Sequence, residues 1–303
     1  MTAKQWPRRL VGMTVMICAA MLLTDASAVR QAAAAGMRLA AGNVIPSLFA
    51  FSVAADLLVH LDGLRPAERL LSPLYRYGFR LSPAAAAAFL IGTAGGYPLG
   101  AQTVAALYEN GRLTKQEAEY ALGFSNNCGI AYIVSVAAPQ LALTPSQTVR
   151  LYAVHLAAAW MAAFLLRPFA LRSASIPAAE HGHSVQTVQP SFAVLLTEAV
   201  GRAALAMLKL CGWISLFSIL SAVLNRRVGF AGWLSGVLEL SAGIAGLQPG
   251  ELLKAACFLG FGGLCVACQA SSFAVPNGLR MRWYFAGKTL QAVLSALLAR
   301  LLL

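Results

Sequence analysis

The chain is poor in charge and poorer still in acid. Only 11% of its 303 residues are charged, and 23 Lys and Arg stand against 11 Asp and Glu. Hydrophobic residues make up 59%, in runs long enough to cross a hydrocarbon core of ~30 Å as helices of ~20 residues, which argues against a soluble domain. No GxSxG elbow, P-loop, HExxH helix or pair of intramembrane aspartates occurs, so no enzyme is expected. Nor is there a basic stripe interleaved with aromatics, so the formal charge of +12 is assigned to basic loops at one membrane face and not to nucleic acid. The six cysteines sit mostly inside apolar segments and do not form a disulfide framework. Cys265 and Cys268 form a lone CxxC without a second pair or a nearby histidine, so no metal site is expected. What is left is an all-α, polytopic integral membrane protein.

The order of spans follows from the loops. Lys4, Arg8 and Arg9 precede the apolar run Leu10 to Leu23, and Ala26-Ser27-Ala28 resembles a signal-peptidase site. A retained, signal-anchor-like helix over residues 1–35 with a cytoplasmic N-terminus is the favoured reading. Helix Leu39 to Leu61 leads to a segment bearing Arg65, Arg69, Arg76 and Arg80, which belongs in the cytoplasm, whereas the loop Pro139 to Gln147 has no charge and belongs outside. Two apolar segments, Pro83 to Leu107 and Gln116 to Ala138, lie between them. Two full crossings cannot join an inside loop to an outside one, so one segment is expected to be re-entrant, and Pro83 to Leu107 is the better candidate because Gly95-Gly96-Tyr97-Pro98 would break it. Helix Val149 to Leu166 then returns to a polar linker, residues 169–190, that contains His181 and His183.

The two halves carry matching glycine-rich interruptions. The first, residues 36–168, has Leu90-Ile-Gly-Thr-Ala-Gly-Gly-Tyr-Pro-Leu-Gly100 and then Gly123-Phe-Ser-Asn-Asn-Cys-Gly129. The second, residues 191–303, has Leu238-Glu-Leu-Ser-Ala-Gly-Ile-Ala-Gly246 and then Gly260-Phe-Gly-Gly-Leu-Cys265. Pro46-Ser-Leu-Phe49 and Ile214-Ser-Leu-Phe217 mark a corresponding helix ahead of each pair. Such paired interruptions point to discontinuous helices in a two-repeat fold. The expected second half is helix Ala203 to Leu224, a re-entrant piece Phe230 to Leu247 that is cramped by its short spacing, helix Leu252 to Phe273, and helix Trp283 to Leu303. This makes two repeats of inverted topology; if Phe230 to Leu247 spans instead, Arg280 and Arg282 move outside.

The Ser47-Leu-Phe helix, the Gly-Gly-Tyr-Pro-Leu-Gly motif at 95–100, Ser125-Asn126-Asn127, the Leu238-Glu239-Leu block and Gly260-Phe-Gly-Gly263 with Gln269 resemble the sporulation integral membrane proteins that carry the nucleoside-recognition Gate domain. The resemblance runs from about residue 36 to the end. It implies a fold similar to the gate region of concentrative nucleoside transporters and of the ferrous-iron transport protein, and a role in building the spore envelope. The sequence departs from the pattern at Cys128, where proline is expected, which leaves open how sharply the helix breaks there.

Backbone groups freed at a break cost several kcal/mol in hydrocarbon unless they meet protein partners or line a cavity, so breaks at 95–98, 125–129, 243–250 and 262–263 are expected to converge. The candidate substrate-binding set is Gly95, Gly96, Tyr97, Pro98, Gln102, Ser125, Asn126, Asn127, Glu239, Ser241 and Gln269, with the amides offering donors and acceptors to hydroxyls or base edges. Glu239 and Asp56 are candidate ligands for a coupling Na⁺ or proton, and no other cofactor is expected. Lys209 is read as snorkelling or as pairing with Glu239, and His155 as a buried imidazole. Two function classes follow: a permease or channel-like protein for an unidentified small polar solute, or a non-transporting scaffold in envelope assembly. Its partners are then the lipid bilayer, the solute, and sporulation membrane proteins or further copies of the chain.

Overall fold

The computed structural model describes residues 12–171 apart from 14, 17, 18 and 21, residues 191–228, and residues 233–303. Part of the expected first helix and most of the polar linker, with His181 and His183, therefore lie outside the described residues. Among the described residues every regular element is a helix, and five stretches are long and apolar enough to span: Lys115–Gln140, Pro145–Ala170, Phe192–Arg226, Leu252–Ala274 and Arg282–Leu302. It is a polytopic membrane protein.

Helix α1 (Ala26–Leu39) runs through a π-helical stretch, Ala40–Val44, into α2 (Ile45–His60). The interruption ahead of this helix lies at Asp25 (φ −114°, ψ 34°) and not just before Leu39, because Ala32–Ala35 is strongly helix-forming and Gly36 lies against α9, where a Cβ would come within 2.8 Å of Ser215 Cα. Pro46 lacks an N–H, and the wider turn just before it changes the register of the backbone bonds. Helix α3 (Arg65–Pro73) and a π-helical turn, Leu74–Phe79, follow. Then α4 (Ala84–Gly95) and α5 (Leu99–Glu109) form a hairpin, and α6 (Lys115–Ser125) is separated by residues 126–129 from a helical stretch, α7, over 130–140. Helix α8 is Pro145–Ala170 and α9 is Phe192–Val228. A second hairpin, α10 (Trp233–Leu238) with α11 (Leu240–Ala245), a second interrupted helix, α12 (Leu252–Phe261) with α13 (Gly263–Ala274), and α14 (Arg282–Leu302) complete the chain.

Local sequence explains the starts and stops. Thr114 with Glu117, and Thr144 with Gln147, form reciprocal capping boxes that begin α6 and α8. The first hairpin has arms of 12 and 11 residues, roughly 17 Å each, so its tip reaches about half-way through a bilayer. The second has arms of 6 residues each, as short as its spacing requires. Its turn is not at 243–250 as expected but at Glu239, whose carboxylate accepts from the amides of Ser241 (3.0 Å) and Ala242 (2.7 Å) and so starts α11. Gly243 has another use: it packs on Gly236, where a Cβ would overlap the facing Cα. Residues 246–251 are the loop between hairpin and interrupted helix.

Contacts at the two ends give the direction of each element. At one end Ser82 N–H donates to Glu117 (2.7 Å), Arg112 pairs with Glu68 (2.6 Å), Arg280 N–H donates to Glu119 (3.1 Å) and Arg167 bonds the Gly78 carbonyl. At the other end Gln140 donates to the carbonyls of Leu247 (3.0 Å) and Ala245 (3.2 Å). The first interrupted helix thus leaves the basic end, where the second one arrives. Small residues allow the close approach of these elements: Ala84–Ala88 are fully buried, Gly92 and Gly100 embrace the Ser125 carbonyl, and Gly123 faces Gly287.

Substituting Gly100 by alanine would drive a Cβ into the Ser125 carbonyl. Thermal unfolding of the detergent-solubilised protein should show Gly100→Ala destabilised by about 1–3 kcal/mol. Gly201→Ala, with nothing within 4 Å of the added methyl, should be neutral or gain up to about 1 kcal/mol; equal melting of the two variants would contradict this packing.

Candidate functional site

Breaking a helix frees carbonyls before the break and amides after it. In this chain several of the freed groups at the site are met by side chains from other elements. At the first tip Gly96 has φ +87°, and a Cβ there would come within 2.9 Å of Gly129 N, so only glycine fits between tip and interrupted helix. The next residue, Tyr97, donates its hydroxyl to Leu259 O at 2.8 Å, a carbonyl that the break at Gly262 leaves without its helical partner. Asn126 accepts from Ala101 N–H in the first turn of α5 (3.4 Å). Asn127 Nδ2 donates to Phe124 O (2.7 Å), and Cys128 N–H donates to His155 Nε2 (3.1 Å). The break at Cys128 is complete: Asn126 and Gly129 are both extended. Proline there would have no N–H to give to His155.

The second tip reaches the same region. A Cβ on Gly263 would lie 3.1 Å from Leu240 N and 3.3 Å from the carbonyls of Gly236 and Leu238. Gly262 lies beside the Tyr97 ring, with 3.1 Å from its Cβ position to the hydroxyl. Both hairpin tips and both helix interruptions therefore meet.

At their meeting point stands a residue that the sequence reading passed over. Lys288, on α14, is 0% exposed. Its ammonium donates to Gln291 Oε1 (2.7 Å) and Asn127 Oδ1 (3.4 Å) and lies over the Tyr97 ring, 5.5 Å from the centroid. Gln291 in turn donates to Asn127 Oδ1 (3.2 Å) and to His155 O (3.2 Å). No ion pair of Lys288 is found among the described residues. Both hydrogen-bonded partners of the amine accept, and the Tyr97 ring offers it a π face. A lysine at the bilayer centre costs about 3 kcal/mol on insertion scales, and an ionisable residue buried within a spanning helix marks function by default. Its signal in sequence was the run Lys288, Gln291, Ser295, spaced to one helix face.

Around this network are buried polar atoms without a hydrogen-bond partner: Ser125 Oγ, Ser295 Oγ and His155 Nδ1. Because His155 Nε2 accepts from Cys128, a neutral ring carries its proton on Nδ1.

The expected residues divide. Gly96, Tyr97, Pro98, Ser125, Asn126 and Asn127 come together with Gly262, and Gly95 closes α4 against Leu99. Glu239 and Ser241 form the second tip. Gln269 is buried on α13, its amide 3.4 Å from Cys265 Sγ. Gln102 and Asp56 lie elsewhere, on a cavity of about 240 Å³ near the basic end that also involves His60, Arg202 and Lys209. Both carboxylate oxygens of Asp56 are taken by Arg202 (2.9 and 2.7 Å), and Gln102 bonds Ser52 (3.0 Å). Lys209 does not reach Glu239; its amine lies over the Phe273 ring at 5.7 Å.

Comparison with known proteins bears out the resemblance read from the motifs. The Gate family, described as nucleoside recognition, matches residues 41–143, which include the first hairpin and the break at 126–129. The chain is 24% identical over 300 residues to the sporulation integral membrane protein YlbJ of Bacillus subtilis, covering 86% of this chain and 74% of that protein. No solved structure matches it.

The two asparagines should differ in weight. Asn127→Ala strips acceptors from Lys288 and Gln291 and should lower stability by about 1–3 kcal/mol, the cost of stranded buried donors. Asn126→Ala, whose bonds are 3.4 and 3.5 Å long, should cost clearly less. Chemical unfolding in mixed micelles checks the order; the reverse order would refute the network.

Proposed function

We propose that this chain is a Gate-type membrane transport protein that moves a small polar solute past the cluster of Tyr97, Asn126, Asn127 and Lys288, with two hairpins as gates. The observation that carries the reading is the meeting of both hairpin tips and both helix interruptions on one buried polar network. In transporters built this way the substrate site lies at the junction of discontinuous helices near the midplane. The opposite directions of the two interrupted helices support an inverted relation of the two halves. Arg112, Lys115, Arg167 and Arg280 gather at one end, which supports a cytoplasmic placement of that end, with the N-terminus on the same side and Leu303 outside. Glu239 is the acidic group at a tip, where a coupling Na⁺ or proton would be sought. The likeness to the Bacillus subtilis protein supports a place in spore formation.

A scaffold acting through sporulation partners is favoured by one observation, that Asn127 commits its amide oxygen and one of its amide N–H groups to internal bonds.

Spore formation separates the readings. In cells lacking the chain, Tyr97→Phe and Asn127→Ala variants that reach the membrane in normal amounts should restore heat-resistant spores at least tenfold less well than the unaltered protein. Full restoration by both would favour the scaffold. Orientation is tested in a cysteine-free background: Leu303→Cys should react with a membrane-impermeant maleimide in intact cells and Asn277→Cys only after permeabilisation, and the opposite pattern would overturn the inverted arrangement.

A further inference from the structure

Helix α3 lies apart from the polar network, and its two long faces differ. Arg65, Arg69, Ser72 and Arg76 recur at i, i+4, i+7 and i+11, so they share one face. With Glu68 and Pro83 they line a cavity of about 280 Å³. Leu70, Leu74 and Tyr77, at i, i+4 and i+7, form a second stripe, and Leu70 and Tyr77 are each 79% exposed. An apolar stripe left open beside a basic one suits a helix lying in the membrane interface, with the apolar side chains among acyl chains and the basic ones at headgroup level.

The charges of the cavity are unevenly matched. Glu68 pairs with Arg112 at 2.6 Å and Arg65 with Asp62 at 2.6 Å. Arg69 and Arg76 have no ion pair among the described residues. Two uncommitted guanidinium groups and the Ser72 hydroxyl thus line one recess, with donors in the fork geometry that suits phosphate oxygens.

We infer that this recess binds the phosphate headgroup of an anionic phospholipid in the leaflet at the basic end. Arg69 and Arg76 hold the phosphate oxygens, and Leu70, Leu74 and Tyr77 lie along the acyl chains. The exposed apolar stripe decides for a lipid over free phosphate, because a soluble anion has no use for it. A basic recess beside an interfacial helix is a known kind of lipid-headgroup site. The site is independent of the gate network, and its occupation anchors the segment that leads into the first hairpin.

The test uses the full-length protein in nanodiscs of phosphatidylcholine alone or with one-third phosphatidylglycerol, and reads the melting temperature. The unaltered protein should melt several degrees higher with phosphatidylglycerol. The double variant Arg69→Gln/Arg76→Gln should lose most of that difference while matching the unaltered protein in phosphatidylcholine, and Arg300→Gln, at the far end, should keep it. Three results would overturn the assignment: no difference between the lipids, an equal loss in Arg300→Gln, or full stabilisation by millimolar inorganic phosphate in phosphatidylcholine, which would make the ligand a free anion.

Discussion

A helix interrupted inside hydrocarbon must find partners for its freed amides and carbonyls within the protein. Four interruptions in one small bundle multiply that demand, and the structure meets it by bringing them together. Tyr97 of the first tip serves a carbonyl of α12, Asn126 serves an amide of α5, and Cys128 gives its amide to His155 on α8. Because the donor and acceptor in each bond come from different elements, the first tip cannot leave the centre without stranding a partner. The short arms, the glycine contacts and the antiparallel course of the interrupted helices are what that convergence requires.

Lys288 and Gln291 complete the arrangement from the second half. They place an amine and an amide where the first half offers Asn127 Oδ1, the His155 carbonyl and the Tyr97 ring. Burying these polar groups is costly, and removing one partner strands a buried donor, so the bonds favour the two halves closed on each other. In the proposed transport reading, opening a gate means giving these bonds new partners, water or a solute. Ser125, Ser295 and the His155 ring, each with an unbonded buried atom, already lie beside the network.

Fold class, the spans and the first hairpin were legible because Gly-Gly-Tyr-Pro and the apolar runs act locally: glycine and proline break a helix wherever it packs. The second turn was misplaced by a few residues because a glycine that permits close packing looks the same in sequence as one that permits a turn. Gly243 is the former, while Glu239 makes the turn through its carboxylate. Asp56 and Gln102 could not be separated from the central set because their partners, Arg202 and Ser52, are distant in sequence. Lys288 was missed because it sits close to the basic start of α14, where a lysine reads as an interfacial charge. Cys128 in place of proline was noticed, but only the position of His155 shows what its amide does.

The account rests on a direct bond across the two halves at Lys288 and Asn127, and a double-mutant cycle measures it. Unfolding free energies of Lys288→Met, Asn127→Leu and the double variant, taken in mixed micelles, should give a coupling above about 1 kcal/mol, with the apolar pair destabilised less than the sum of the single variants. Additive effects within about 0.5 kcal/mol would mean that the two residues do not share a network, and the convergence described here would be contradicted.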